Sequence, residues 1–180
     1  MKNSIKDNQV IIRFKALFFD WLFICAYLLL LFLIVSVFYF VLFRGIPKFT
    51  NFQSQFIATL SSVVPIITIF SVMEGKKNFA TIGKRMANLK VQFKDQSMRR
   101  SIIRNTIKFL PWQFGHMSTI NGIYNGFETF YSMFFFSLSM MISFILVLMV
   151  LVRKDKRHLA DFIAGSRVVH NGGVQNARVF

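Results

Sequence analysis

The chain has 180 residues, 54% of them hydrophobic, with 24 phenylalanines and a mean hydropathy of +0.52. That apolar fraction exceeds the roughly 45–50% of soluble domains and is gathered into long uncharged runs. It excludes an ordinary soluble protein and leaves room for a single membrane domain, residues 1–180. The formal net charge of +15 does not point to nucleic acid, because the cations flank the apolar runs, where the positive-inside rule places them.

Residues 1–12 are polar and read as a short cytoplasmic arm. No small-residue cleavage site follows a short apolar core there, so the first span is expected to be retained rather than removed as a signal peptide. That span covers residues 16–43. Positions 21–43 hold no charged residue, and about 20 apolar residues suffice to cross a bilayer. Cys25, the only cysteine, lies in it, which rules out an intrachain disulfide. Asp20 sits just inside the start of the span. Arg13 lies seven residues earlier, nearly two helical turns, and so shares its face about 10 Å away along the axis. A carboxylate costs about 2.5–3.5 kcal/mol at the centre of a span and less near its end, so Asp20 calls for a partner.

Arg44-Gly45-Ile46-Pro47-Lys48 breaks the first span. The polar residues 50–55 are predicted at the interface, and residues 56–73 as the second span, ended by Glu74 at the interface. Pro65, in its middle, frees the carbonyl of Ser61 and predicts a packing kink, with Ser61 or Ser62 re-satisfying the backbone. A strongly basic stretch follows: Lys76, Lys77, Lys84, Arg85, Lys90, Lys94, Arg99, Arg100, Arg104 and Lys108. Within it residues 89–94 alternate apolar and polar, the pattern of a short strand, with a turn at Asp95-Gln96.

Residues 109–127 carry no formal charge but include Pro111, Gln113, His116, Asn121 and Asn125, so hydropathy leaves them between an interfacial helix and a span. Residues 129–152 are an unambiguous last span. Beyond them, Ser166-Arg167-Val168-Val169-His170 reads as a second strand closed by Asn171-Gly172-Gly173. Charge counting resolves the middle region. Lys and Arg number four before the first span, two between the first and second, ten from there to residue 108, and six after residue 152. Three spans would set the six opposite the ten, whereas four spans put twenty on one side against two. The expected fold is therefore all-α: a four-span helical bundle with spans at 16–43, 56–73, 102–119 and 129–152. An outer turn is expected at 118–128, and both termini are cytoplasmic. Residues 76–101 and 153–180 form a small cap in which the two strands pair.

Three motifs, in this order and spacing, carry a resemblance. They are Arg13-x-x-Ala16-x-x-x-Asp20, then Thr81-Ile82-Gly83-Lys84-Arg85 followed by Leu89-Lys90-Val91, then His158-Leu159-Ala160-Asp161-x-x-Ala164-Gly165-Ser166-x-Val168-Val169. Together they resemble the RDD family of bacterial membrane proteins over nearly the whole chain. The arginine and two aspartates of the family's name map onto Arg13, Asp20 and Asp161. Asn88 stands where the family often has glycine, and Ser166 where it often has threonine. The resemblance implies a multi-pass protein of the bacterial cytoplasmic membrane. It also implies cation/proton exchange as one activity, since some members are described as antiporters.

Two readings of Arg13, Asp20 and Asp161 stand side by side. In one, a carboxylate at a span mouth, poised by a cation, exchanges a proton for a metal cation. In the other, the three belong to an ion-pair network that fixes the first helix against the cytoplasmic segments. The middles of the other spans hold few polar groups, which disfavours a self-sufficient pump. Gln113, His116 and Asn121 give the third span a polar stripe, either a lining or a buried seam, and burial is the expectation. Gly83-Lys84-Arg85 lacks the glycines and hydroxyl of a phosphate loop and is expected to meet anionic lipid headgroups. Gly122-x-x-x-Gly126 matches a helix-packing motif but falls near the outer turn. His116, His158 and His170 are scattered, so no metal site, cofactor or enzymatic activity is expected. The expected partners are the bilayer, anionic headgroups, and a second copy or another membrane protein.

Overall fold

The computed structural model describes residues 2–76, 79–95 and 98–171, and for residues 2–9 the backbone alone. The first helix, α1 (Lys2–Phe43), takes in the polar arm as well as the first span. No Gly or Pro interrupts residues 2–43, and extending a formed helix adds a bond for each residue fixed. The helix ends where Arg44 turns to φ +53 beside Gly45.

The second membrane helix starts earlier than expected. Thr50 accepts a hydrogen bond from the Gln53 amide, and the Gln53 side chain accepts one from Thr50 N–H at 2.9 Å. This capping box makes Thr50 the cap and the polar residues 51–55 the first turns of α2 (Asn51–Ala58), so the helix begins five residues before the expected span. A π-helical stretch, Thr59–Val63, then leads into α3 (Val64–Gly75), so the distortion sits immediately before Pro65. The carbonyl of Ser61 is re-satisfied by the Tyr27 hydroxyl of α1 at 2.6 Å. The Ser61 and Ser62 hydroxyls bond the carbonyls of Ile57 and Ala58, one turn earlier.

After α3 the chain forms α4 (Ile82–Met86) and β1 (Leu89–Phe93). The long α5 (Met98–Asn125) and α6 (Phe130–Val152) follow, then α7 (Leu159–Ile163) and β2 (Ser166–His170). The two strands pair antiparallel with Leu89 opposite His170 and Phe93 opposite Ser166, as their alternation predicts. Leu89, Val91 and Phe93 point into the core while Lys90 and Gln92 are half-buried. Asn88 enters β1 at φ +52, the left-handed region that glycine fits best and asparagine tolerates. Of the expected turns, Gln96 and Gly172-Gly173 lie outside the described residues.

Helix α5 runs into the expected outer turn, which narrows to the four residues 126–129. The polar residues that read as loop are held by α6 and its cap: Ser118 donates to the Ser132 carbonyl at 2.8 Å and Asn121 to the Ser132 hydroxyl at 2.9 Å. Gly122 is filled against the Phe127 ring, and Gly126 takes φ +97 in the turn, so the pair is not a helix–helix contact. Three helical segments are long and apolar enough to cross a membrane: Val10–Phe43, Asn51–Gly75 and Phe130–Val152. The expected third span, 102–119, lies inside α5, which carries Arg104 and Lys108 and does not reach that standard among the described residues.

Two apolar clusters hold the parts together. Ala16, Ala87 and Leu89, with Ile12 and Val168, join α1 to the cap. Ile66, Phe70 and Phe109, with Phe23, Ile24, Tyr27 and Trp112, join α1, α3 and α5. Most of the remaining surface of α1 and α6 is bare apolar side chain, as a bilayer requires.

Candidate functional site: a buried charge cluster under the cap

Where the cap meets the helices, charged side chains are buried together. Glu74, the single acidic residue of α3, is fully buried rather than interfacial. It accepts from Lys84 Nζ at 2.7 Å, Arg104 Nη1 at 2.6 Å and Asn105 Nδ2 at 2.9 Å. Arg104, on α5, also donates from Nε to Asp161 Oδ1 at 2.7 Å, so one guanidinium bridges two carboxylates from α3 and α7. Ser166 Oγ gives Asp161 Oδ1 a further bond at 3.0 Å. Ser101 and Asn105, one helical turn apart on α5, tie the cluster to α3, since Ser101 Oγ donates to the Ser71 carbonyl at 2.9 Å. Burial at this density is costly for each ion and tolerable only where each is paired with an opposite charge.

The small helix α4 couples the cluster to α1. Thr81 caps α4, and its hydroxyl donates to Asp20 Oδ2 at 2.7 Å while the Gly83 amide donates to Asp20 Oδ1 at 2.9 Å. Lys84 Nζ lies 3.8 Å from Asp20 and reaches across to Glu74. Gly83 is pressed against α1: a Cβ there would land on the carbonyl oxygen of Ala16. Gly83 and Ala16 thus let two backbones touch, and Asp20 fastens the contact.

On the cap side, His158 precedes α7 and its Nδ1 accepts the Asp161 amide at 3.2 Å, which leaves the ring proton on Nε2. Nε2 lies 3.3 Å from Asp161 Oδ2, an oxygen that receives no hydrogen bond among the described residues. Burial pushes the His158 imidazole down to about 4, against the opposing pull of Asp161. Burial alone would raise the Asp161 carboxyl, but Arg104, His158 and the bond from Ser166 outweigh it and hold it below the usual carboxylate range.

The sequence-predicted residues are distributed as follows. Asp20 and Asp161 both enter the cluster, joined through Lys84, Glu74 and Arg104. Arg13 makes no ion pair with either among the described residues. Its guanidinium donates to the carbonyls of Lys156 and Val168, at 2.5 and 3.0 Å, and so pins α1 to the cap. Helical phase put Arg13 and Asp20 on one face, but the cap sits between them and the backbone carbonyls take the arginine. Of the basic motif, Lys84 is buried in the cluster, where it cannot meet lipid, and Arg85 is exposed. Gln113, His116 and Asn121 lie apart, in an outer seam between α2, α5 and α6. Gln113 bonds Thr59 at 3.0 Å, His116 accepts from Trp112 at 2.9 Å, and Asn121 accepts from Asn51 at 2.9 Å. Glu74, Arg104, Asn105 and His158 were not singled out as site residues. The available signal was a lone acid ending one apolar run and an Arg-Asn pair opening a polar helix. No group of three or more His, Cys, Asp or Glu able to hold a metal ion occurs among the described residues.

A family model described as the RDD family matches residues 9–165, which include every charged member of this cluster. No curated protein and no solved structure matches the chain.

Proposed function

We propose, for a chain that belongs to the RDD family of membrane proteins, a four-span protein of the bacterial cytoplasmic membrane. Its buried charge cluster latches a cytoplasmic cap onto the bundle, and the protein works in assembly or in contact with anionic lipid rather than as a self-sufficient ion exchanger. The observation that carries the latch is Arg104 shared between Glu74 and Asp161, with each acid fully buried and already held by fixed donors. An exchange site must release its cation, and these carboxylates hold donors that belong to the fold.

Connectivity supports the fourth span. Strands β1 and β2 pair, and Arg13 of α1 bonds the β2 backbone, so the segments after α3 and after α6 meet at the start of α1. If α6 crosses the membrane, α5 must cross it too for β2 to return to that side. The polar groups of α5 face protein partners, which supports a span of low hydropathy there. Both termini then lie with the cations, in the cytoplasm. In a Cys25→Ser background, single cysteines at Asn125 and Asp155 test this. Asn125 should react with an impermeant maleimide in intact cells, and Asp155 only after permeabilisation. Labelling of Asp155 from outside would overturn the four-span reading.

One observation favours cation/proton exchange as a second reading: among the described residues Asp161 Oδ2 accepts no hydrogen bond, and it faces the ionisable His158. Proton-coupled sodium or potassium flux in sealed proteoliposomes, measured with a pH-sensitive dye, supports that reading, and its absence removes it.

A further inference from the structure

Lys108 stands one helical turn beyond Arg104 on α5, about 6 Å further along its axis. The residue is half-buried, and its ammonium lies over two aromatic rings, 5.1 Å from the centroid of Phe70 and 5.2 Å from that of Phe109. Among the described residues it has neither a hydrogen-bond partner nor an ion pair. The acids that act on it electrostatically, Asp20 and Glu74, are already committed: Asp20 to Thr81 and Gly83, Glu74 to Lys84, Arg104 and Asn105. Aromatic faces attract a cation but cannot accept its three N–H bonds in full. On the four-span reading, on which this inference rests, Lys108 lies on the bilayer side of the cluster, in the corner where Phe70 also meets Phe23 of α1 at 5.9 Å. The anion available at the cytoplasmic end of a bilayer is a lipid phosphate, and the flexible stem of a lysine can reach toward it.

We propose that Lys108, cradled by Phe70 and Phe109, binds the phosphate of an anionic phospholipid from the cytoplasmic leaflet, seated in the corner between α1, α3 and α5. The site differs from the basic surface expected of Gly83-Lys84-Arg85, because Lys84 is consumed by the cluster and Lys108 is not.

Trp112, one turn further along α5, is a built-in reporter; its ring lies 6.0 Å from that of Phe109. The chain has two tryptophans, so Trp21→Phe leaves Trp112 alone. This full-length variant is reconstituted in phosphatidylcholine vesicles carrying acyl-brominated phosphatidylcholine or acyl-brominated phosphatidylglycerol, and tryptophan quenching is measured. Both lipids should quench, with an apparent preference for phosphatidylglycerol of about fivefold. The preference should disappear in Lys108→Met, persist in Lys108→Arg, and withstand added inorganic phosphate. Equal quenching by the two lipids, or a preference unchanged in Lys108→Met, overturns the lipid site and leaves the span intact. Competition by inorganic phosphate overturns the assignment to lipid. Absence of quenching by either brominated lipid overturns the span reading itself.

Discussion

Replacing Arg104 by methionine removes the charge while keeping most of the side-chain volume. The guanidinium makes two buried ion pairs, at 2.6 Å to Glu74 and 2.7 Å to Asp161. Deleting one partner of a buried pair costs about 3–5 kcal/mol, chiefly because the other charge is left uncompensated. Here the two orphans differ. Glu74 keeps Lys84 and Asn105, whereas among the described residues Asp161 Oδ1 keeps only Ser166. Most of the loss therefore falls on Asp161, and the expected destabilisation is about 4 kcal/mol. For a chain of this size that lowers Tm by about 8–16 °C. Cys25, half-buried on α1, provides the assay: a thiol-reactive fluorophore reports its exposure as the purified protein is heated in detergent. Adding Asp161→Asn to Arg104→Met should recover about 1–3 kcal/mol, because the stranded charge is gone. A Tm for Arg104→Met within about 2 °C of wild type, or no recovery in the double variant, would refute the idea that this cluster holds the fold together.

Three further outcomes follow from the same geometry. His158 is held neutral by burial, with its folded value pushed down to about 4 against an ordinary 6.5. Because that value is depressed, stability is full above about 6.5 and falls as the pH drops toward 4, by up to about 3 kcal/mol at about 1.4 kcal/mol per pH unit. His158→Gln should flatten Tm between pH 6.5 and pH 4.5, and an unchanged slope would count against it. Gly83→Ala should cost about 2–3 kcal/mol in the same thermal assay, since its Cβ meets the Ala16 carbonyl and disturbs the Asp20 bond; a neutral effect would deny the α1–α4 contact. Tyr27→Phe should cost about 1–2 kcal/mol by stranding the Ser61 carbonyl beside Pro65, and a stability equal to wild type would show that carbonyl satisfied elsewhere.

Features governed by local patterns were legible in the sequence. The apolar runs gave three helical segments long and apolar enough to cross a membrane, and period-two alternation gave both strands and their pairing. Asp20 and Asp161 were legible as charges that needed partners, since acids beside hydrocarbon cannot stand alone. What was hidden depended on which donor arrived from another element. Arg13 and Asp20 share a helical face, yet two carbonyls of the cap take the arginine, and a hydroxyl and an amide of the α4 turn take the aspartate. Glu74 looked interfacial because it ends an apolar run, and nothing local to it announces Lys84 and Arg104 ten and thirty residues away. The polar stretch 50–55 was left outside the second helix because composition does not display a capping box closing on a helix. Residues 118–125 read as a turn because side chains that bond a neighbouring helix look, in sequence, like side chains that bond water.

The central claim, a latch rather than an exchange site, is tested most directly by Glu74→Gln measured twice on one preparation, for Tm in detergent and for proton-coupled sodium or potassium flux in sealed vesicles. Glutamine keeps the shape and removes the charge that Lys84 and Arg104 share. The account predicts a Tm lowered by about 6–15 °C and no proton-coupled flux in the wild type to begin with. Flux in the wild type that vanishes in a Glu74→Gln protein of unchanged Tm would contradict it.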